Sequence, residues 1–142
     1  MKKALLAVIS VLLIAASAYL VQANPKLGAS LTGAAEVGGG DPDGSGIASV
    51  SSSPSTNQLC LGVIVDKIAT PTTVTLCRGA VGQTGSVIAT FPGPSSLNVE
   101  SASCVDIDPA VAKDISQHSE GYYVNVINAD YPDGALRGQL AH

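Results

Sequence analysis

Gly121-Tyr-Tyr-Val-Asn-Val-Ile-Asn-Ala-Asp-Tyr-Pro-Asp-Gly-Ala-Leu-Arg-Gly-Gln-Leu140 is the stretch whose reading decides the fold of this chain. Alternation from Tyr122 to Asn128 sends Tyr122, Val124 and Val126 to one side and Tyr123, Asn125 and Ile127 to the other, the period of a half-buried strand. Val124 and Val126 read as core. Asn125, on the opposite side, reads as a residue that caps an edge or loop. Asp133-Gly134 is a turn signal, and Ala135–Leu140 resumes as a second strand. The connection from Ala129 to Gly134 is long enough to leave the turn type open.

The same pattern extends upstream. Short apolar runs rich in β-branched residues predict strands at Lys26–Val37, Gly44–Ser52, Gln58–Asp66, Thr73–Cys77, Ser86–Phe91 and Ser96–Ile107. Between them lie Gly/Pro/Ser/Asp-rich breaks such as Gly38–Gly44, Gly79–Gly85 and Pro92-Gly93-Pro94. One helix interrupts the strands: Asp108 can cap it, Pro109 suits its first position, and Ala110–Gln117 follows with Val111 and Ile115 on one face. Asp114 has no evident role. So short a helix must lean on the sheets to persist. The fold expected is an all-β antiparallel sandwich of seven or eight strands with one short helix.

Residues Met1–Ala23 read as a secretory leader, with Lys2 and Lys3 ahead of an apolar run and cleavage before Asn24. The alternative is an uncleaved membrane anchor. Cleavage leaves 119 of 142 residues, enough for one domain, 24–142. It also leaves five basic against 11 acidic residues, a net charge of −6. That balance disfavours nucleic acid and anionic membrane surfaces. The remaining aromatic residues are Phe91, Tyr122, Tyr123 and Tyr131, so the core must be aliphatic.

Three cysteines, Cys60, Cys77 and Cys104, allow three pairings and leave one thiol over. Cys60–Cys104 would close about 45 residues and be worth about 4 kcal/mol on the loop-entropy model. Cys60–Cys77 competes with it. The leftover thiol is buried, oxidised or used between molecules. The closest cysteines are 17 residues apart, and His118 and His142 are the only other soft ligands, so no structural metal site is expected. His118 offers Cys77 only a weak base.

Glu36, Asp66, Glu100, Asp106, Asp108 and Glu120 show no spacing that pairs carboxylates on one surface. Asp41 and Asp43, with Asn57 elsewhere, lack a full calcium loop and read as a turn. Arg137 could pair with Glu36 on a neighbouring strand, in a structural role. No catalytic or cofactor-binding residue is expected.

Several segments taken in order give the chain a family likeness. Gly28–Val37 followed by Gly44–Ala48, Leu59–Val65, Arg78–Ile88, and Tyr123-Val-Asn-Val126 with Gly134–Leu140 resemble the CHRD (chordin-type) domain in its bacterial secreted, single-domain form. The resemblance implies a disulfide between Cys60 and Cys104, with Cys77 left free. It also exposes departures. Where the family carries a His-x-His-x-Gly pattern and a later third histidine, this chain has Thr75, Cys77 and Ile127. Those three positions are expected to form a small apolar cluster rather than a metal site. The histidine pattern and strand order are further similar to copper–zinc superoxide dismutases, which implies a Greek-key sandwich of that type, or an immunoglobulin-like one, and no activity.

The function these readings predict is a secreted, extracellular or periplasmic, non-enzymatic module for binding, adhesion or envelope and matrix association. The alternative is a degenerate metal-binding or redox protein. Expected partners are an extracellular or envelope protein or polysaccharide. The chain would be a monomer or weak oligomer, with Cys77 as a candidate contact between molecules.

Overall fold

The computed structural model describes Lys26–His142. The leader, its cleavage before Asn24 and the anchor alternative lie outside those residues. No helix among the described residues is long and apolar enough to cross a membrane.

Eight strands form: β1 (Leu27–Thr32), β2 (Ser45–Ser53), β3 (Gln58–Asp66), β4 (Thr73–Arg78), β5 (Ser86–Pro92), β6 (Ser101–Asp106), β7 (Tyr122–Ile127) and β8 (Leu136–Gln139). They pair antiparallel in one sheet of order β5-β4-β7-β8-β1-β2-β3-β6. The two terminal strands, β5 and β6, approach each other without pairing, so the sheet is rolled nearly into a barrel. The two layers expected of a sandwich are the halves of this one sheet. Alternate residues of every half meet inside: Leu27, Ala29 and Leu31 of β1 join Val74, Leu76, Val124, Val126 and Leu136 in a single aliphatic core with Phe91 and Tyr122.

Strand ends moved where backbone groups found other partners. β1 stops at Thr32 rather than Val37, because Gly40 donates its N–H to the Gly33 carbonyl (2.8 Å) and Asp41 donates to Ala135 (2.9 Å), folding 33–41 into a compact loop. β6 starts at Ser101 rather than Ser96. Asn98 takes a φ of 59° and donates its N–H to the Val65 carbonyl (2.9 Å), which draws the chain off the strand path.

The helix α1 (Pro109–Gln117) forms as expected, its first turn capped by the Asp108 carboxylate accepting from the Ala110 N–H at 2.8 Å. Ala112 and Ile115 are buried against the sheet. On one side the hydroxyls of Ser52 and Ser116 lie 2.7 Å apart, each 3.0 Å from the Ala112 carbonyl. On the other side Arg78 donates to the Tyr122 hydroxyl (2.9 Å), that hydroxyl donates to Asp114, and Arg78 and Asp114 form an ion pair at 3.6 Å. Asp114 therefore has a role that its sequence neighbours did not reveal. These tethers supply the tertiary support that a nine-residue helix lacks alone.

Cys60 of β3 and Cys104 of β6 stand directly opposite and are bonded, with Cα atoms 4.0 Å apart. The bond ties a terminal strand to its neighbour. The rival Cys60–Cys77 pairing is not made, because β4 lies in the other half of the sheet, and Cys77 is a buried free thiol.

Candidate functional site

Strand register collects polar residues that are far apart in sequence. Thr75 of β4 lies opposite Asn125 of β7, Asn125 opposite Arg137 of β8, and Arg137 opposite Thr32 of β1. One step along, Cys77 faces Tyr123 and Tyr123 faces Gln139. All of these alternate with core residues, so they occupy the outer face of the sheet. Thr75, Cys77, Tyr123 and Arg137 are nevertheless buried there.

The loop joining β4 and β5 accounts for much of that burial. Arg137 donates from Nη1 to the Gln83 carbonyl (2.7 Å) and from Nη2 to the Ala80 carbonyl (2.8 Å). Gln139 donates from Nε2 to the carbonyls of Gly79 (2.6 Å) and Glu120 (2.7 Å), and Gly85 donates its N–H to the Tyr123 hydroxyl (3.1 Å). Beneath these bonds the Arg137 guanidinium stacks on the Tyr123 ring, 3.5 Å from its centroid. Burial also pushes the Tyr123 hydroxyl pKa upward.

Glu36 enters from the β1–β2 loop rather than from a strand. Among the described residues the only ion pair within 4.0 Å is Arg78–Asp114, so Glu36 and Arg137 interact through space and not as a bonded pair. Desolvation raises the Glu36 pKa to about 7, against the opposing field of Arg137. Two glycines make room for this side chain. A Cβ on Gly40 would meet Glu36 Cγ at 2.8 Å. A Cβ on Gly134 would meet both Glu36 carboxylate oxygens and Asn125 Oδ1 at 2.5 Å, and its φ of 138° suits glycine. With its nitrogen turned toward the loop, the Asn125 amide donates to the Leu136 carbonyl at 3.1 Å and to a Glu36 oxygen. Asn125 thus caps a loop, as its place in the strand predicted. Glu36, Thr84, Tyr123, Asn125, Asp133 and Arg137 surround a cleft of about 280 Å³.

The family model described as the CHRD domain matches residues 27–140, from the first residue of β1 to one residue past β8. The chain belongs to the CHRD domain family. No curated protein and no solved structure gives a significant match. CHRD domains are non-enzymatic β domains of uncertain function, which is consistent with a binding module.

Within this CHRD domain, Thr75 and Cys77 are both buried and lie side by side, Thr75 Oγ1 3.4 Å from Cys77 Sγ. Ile127 lies opposite Thr73, further along the same face and half-buried. Among the described residues no three His, Cys, Asp or Glu side chains come together. The other acidic candidates are dispersed in local roles. Asp43 donates its N–H to Asp41 Oδ1 at 3.4 Å in a turn, and against that bond a side-chain hydrogen bond between the two carboxyl groups raises the Asp41 pKa. Asn57 sits in the separate β2–β3 turn with a φ of 55°. Asp66 accepts from Asn98 Nδ2 (3.0 Å) and from the Lys67 N–H (2.9 Å), and Asp108 caps the helix.

Sequence reading missed Thr84 and Gln139 altogether and left Glu36 on a strand. Neither a motif nor a period marks Thr84 or Glu36, which only loops folding back over the sheet bring to Arg137. Gln139 lies two residues from Arg137 on β8, and strand alternation puts the two on one face.

Proposed function

We propose that this CHRD domain is an exported, non-enzymatic module that works by surface contact with an envelope or matrix component, and that the outer face of β2 and β3 is the contact surface. One observation carries the reading. Ile47 and Ile64 are directly paired across β2 and β3, and both point to solvent, 66% and 38% exposed. Beside them Gly62 lines a groove of about 260 Å³ together with Lys26, Ser49, Val63 and Glu100, whose carboxylate lies over the glycine. Isolated exposed aliphatic residues are ordinary, whereas a paired ridge over a groove is the kind of patch that marks a contact site. The charged groups on the opposite half support the reading too. Arg137 is engaged by backbone carbonyls and a ring, an arrangement that fixes a loop.

The test is co-sedimentation of the mature protein with washed cell envelope and with its separated protein and polysaccharide fractions. Ile47→Asp combined with Ile64→Asp is expected to abolish sedimentation while leaving the circular dichroism spectrum intact. Retained binding by that variant would remove the β2–β3 face from the proposal. Turnover of an envelope polymer would remove the non-enzymatic reading.

A further inference from the structure

The cleft between Glu36 and Arg137 lies on the other half of the sheet from the Ile47–Ile64 ridge, and its chemistry is different. Its charges are mixed. Arg137 contributes a cation that is only 3% exposed, while Glu36 and Asp133 contribute carboxylates. A simple anion entering it meets two carboxylates, and a simple cation meets the guanidinium. A neutral ligand carrying both donors and acceptors avoids either penalty.

The hydrogen-bonding inventory narrows the ligand further. An ionised carboxylate can accept about four hydrogen bonds, and among the described residues the only side-chain donor brought to Glu36 is the Asn125 amide. Glu36 is therefore a half-buried acceptor short of donors, held in place by the glycine slot at Gly40 and Gly134. Across the cleft the Thr84 hydroxyl can donate and accept, the Asn125 carbonyl accepts, its two N–H donors being spent on Leu136 and Glu36, and Asp133 accepts at the mouth. Acceptors on converging walls, with one hydroxyl among them, match adjacent hydroxyls, each of which gives one hydrogen bond. The void is smaller than a pocket for a drug-sized molecule, so it suits a single ring.

We propose that the cleft formed by Glu36, Thr84, Asn125, Asp133 and Arg137 binds a neutral, hydroxyl-rich ring of the saccharide class. Glu36 accepts from two neighbouring hydroxyls, the Asn125 carbonyl accepts from another, the Thr84 hydroxyl donates to a ring oxygen, and Arg137 holds the floor of the cleft in place. Binding is weak, as befits one ring in an open site, and becomes useful when the ring is repeated along a polymer. This site is independent of the Ile47–Ile64 surface, and either can fail without the other.

The experiment is an NMR titration of ¹⁵N-labelled mature protein with the methyl glycosides of glucose, galactose, mannose and N-acetylglucosamine, with sodium acetate as the comparison anion. At least one glycoside is expected to give saturable shifts confined to the amides around Glu36, Thr84, Asn125 and Asp133. Thr84→Val lies on an exposed loop and Asn125→Ala at a half-buried position, so both variants should fold; each is expected to weaken that affinity about five- to tenfold. Ile47→Asp with Ile64→Asp should leave it unchanged. Absence of saturable shifts for all four glycosides overturns the proposal. So does acetate producing the same shifts, which would make the cleft an anion site, and so does affinity that is indifferent to both cleft variants.

Discussion

The guanidinium carbon of Arg137 lies 3.5 Å from the centroid of the Tyr123 ring, and together these two residues hold the β4–β5 loop to the sheet. The pair stands on neighbouring strands, two residues out of direct register and so on the same face, since Tyr123 faces Gln139 and Asn125 faces Arg137. Its stability comes from stacking and from two short bonds to the carbonyls of Ala80 and Gln83. Arg137→Ala removes the stack and strips both carbonyls of their donors. The expected loss is about 3 kcal/mol, since hydrogen bonds to charged groups and a desolvated cation–π contact are each worth about 1–3 kcal/mol. Urea unfolding of the variant checks this, and Arg137→Lys should recover only part of the loss because an ammonium cannot stack and fork at once.

Cys60 and Cys104 enclose 44 residues of chain separation, so the bridge should contribute about 4 kcal/mol. Urea midpoints of Cys60→Ser/Cys104→Ser measure it. Non-reducing mass spectrometry of the oxidised protein should find one bridge and one thiol. Because Cys77 is buried, its alkylation should be slow in the native state and fast in urea.

Gly134→Ala places a methyl group 2.5 Å from both Glu36 oxygens and from the Asn125 amide. It also forces an L side chain to a φ of 138°. A destabilisation of about 2 kcal/mol is expected. Combining it with Glu36→Ala should give back part of that, since the clash goes and the strain stays. A double-mutant cycle with no coupling between positions 36 and 134 would show that the slot does not hold the carboxylate.

Glu36 makes stability depend on pH in a direction opposite to a salt-bridged carboxylate. Its folded pKa of about 7 lies above the ordinary 4.5, so the folded state holds a proton that the unfolded state releases. The contribution is complete below pH 4.5 and is lost as pH rises to about 7. Glu36→Gln should flatten that fall, visible as urea midpoints that no longer decline between those two values. A wild-type carboxyl carbon titrating near the ordinary value would refute it.

The Tyr122 hydroxyl is bonded to both Arg78 and Asp114, and burial, reinforced by Asp114, raises its pKa to about 12. Tyr122→Phe should cost about 1–2 kcal/mol by freeing one side of α1. Ultraviolet titration should show the phenols of Tyr122 and Tyr123 staying neutral beyond the usual value of 10.0, with the Tyr122 contribution missing in the variant.

How much of this was legible beforehand differs from residue to residue. Gln58–Asp66 forms with both ends as expected, because a β-branched apolar run and the Ser/Thr/Asn-rich break before it agree locally. The helix was equally clear, since Asp108 and Pro109 act on the turn they precede. Lys26–Val37 was read too long. Nothing in Gly33-Ala-Ala-Glu-Val37 shows that Gly40 will bond back to Gly33 and that Asp41 will bond to Ala135. The link between Arg137 and Glu36 was anticipated as a partnership, but its nature was not. Hydrogen-bonded pairing and interaction at a distance differ by a few ångströms of loop position.

The order of apolar and polar residues along this chain determined that it would form antiparallel strands, that Val124 and Val126 would face the core, and where one helix would start. Those are properties of near neighbours, set by a period of two and by capping groups a few residues away. Only the tertiary structure decided that the strands would join into one rolled sheet, that Cys104 rather than Cys77 would face Cys60, and that Glu36, Thr84, Asn125 and Arg137 would share a cleft. Those outcomes depend on which strands pair and how loops lie across them. Such choices are settled by the summed burial of the whole core, to which no single segment holds the key.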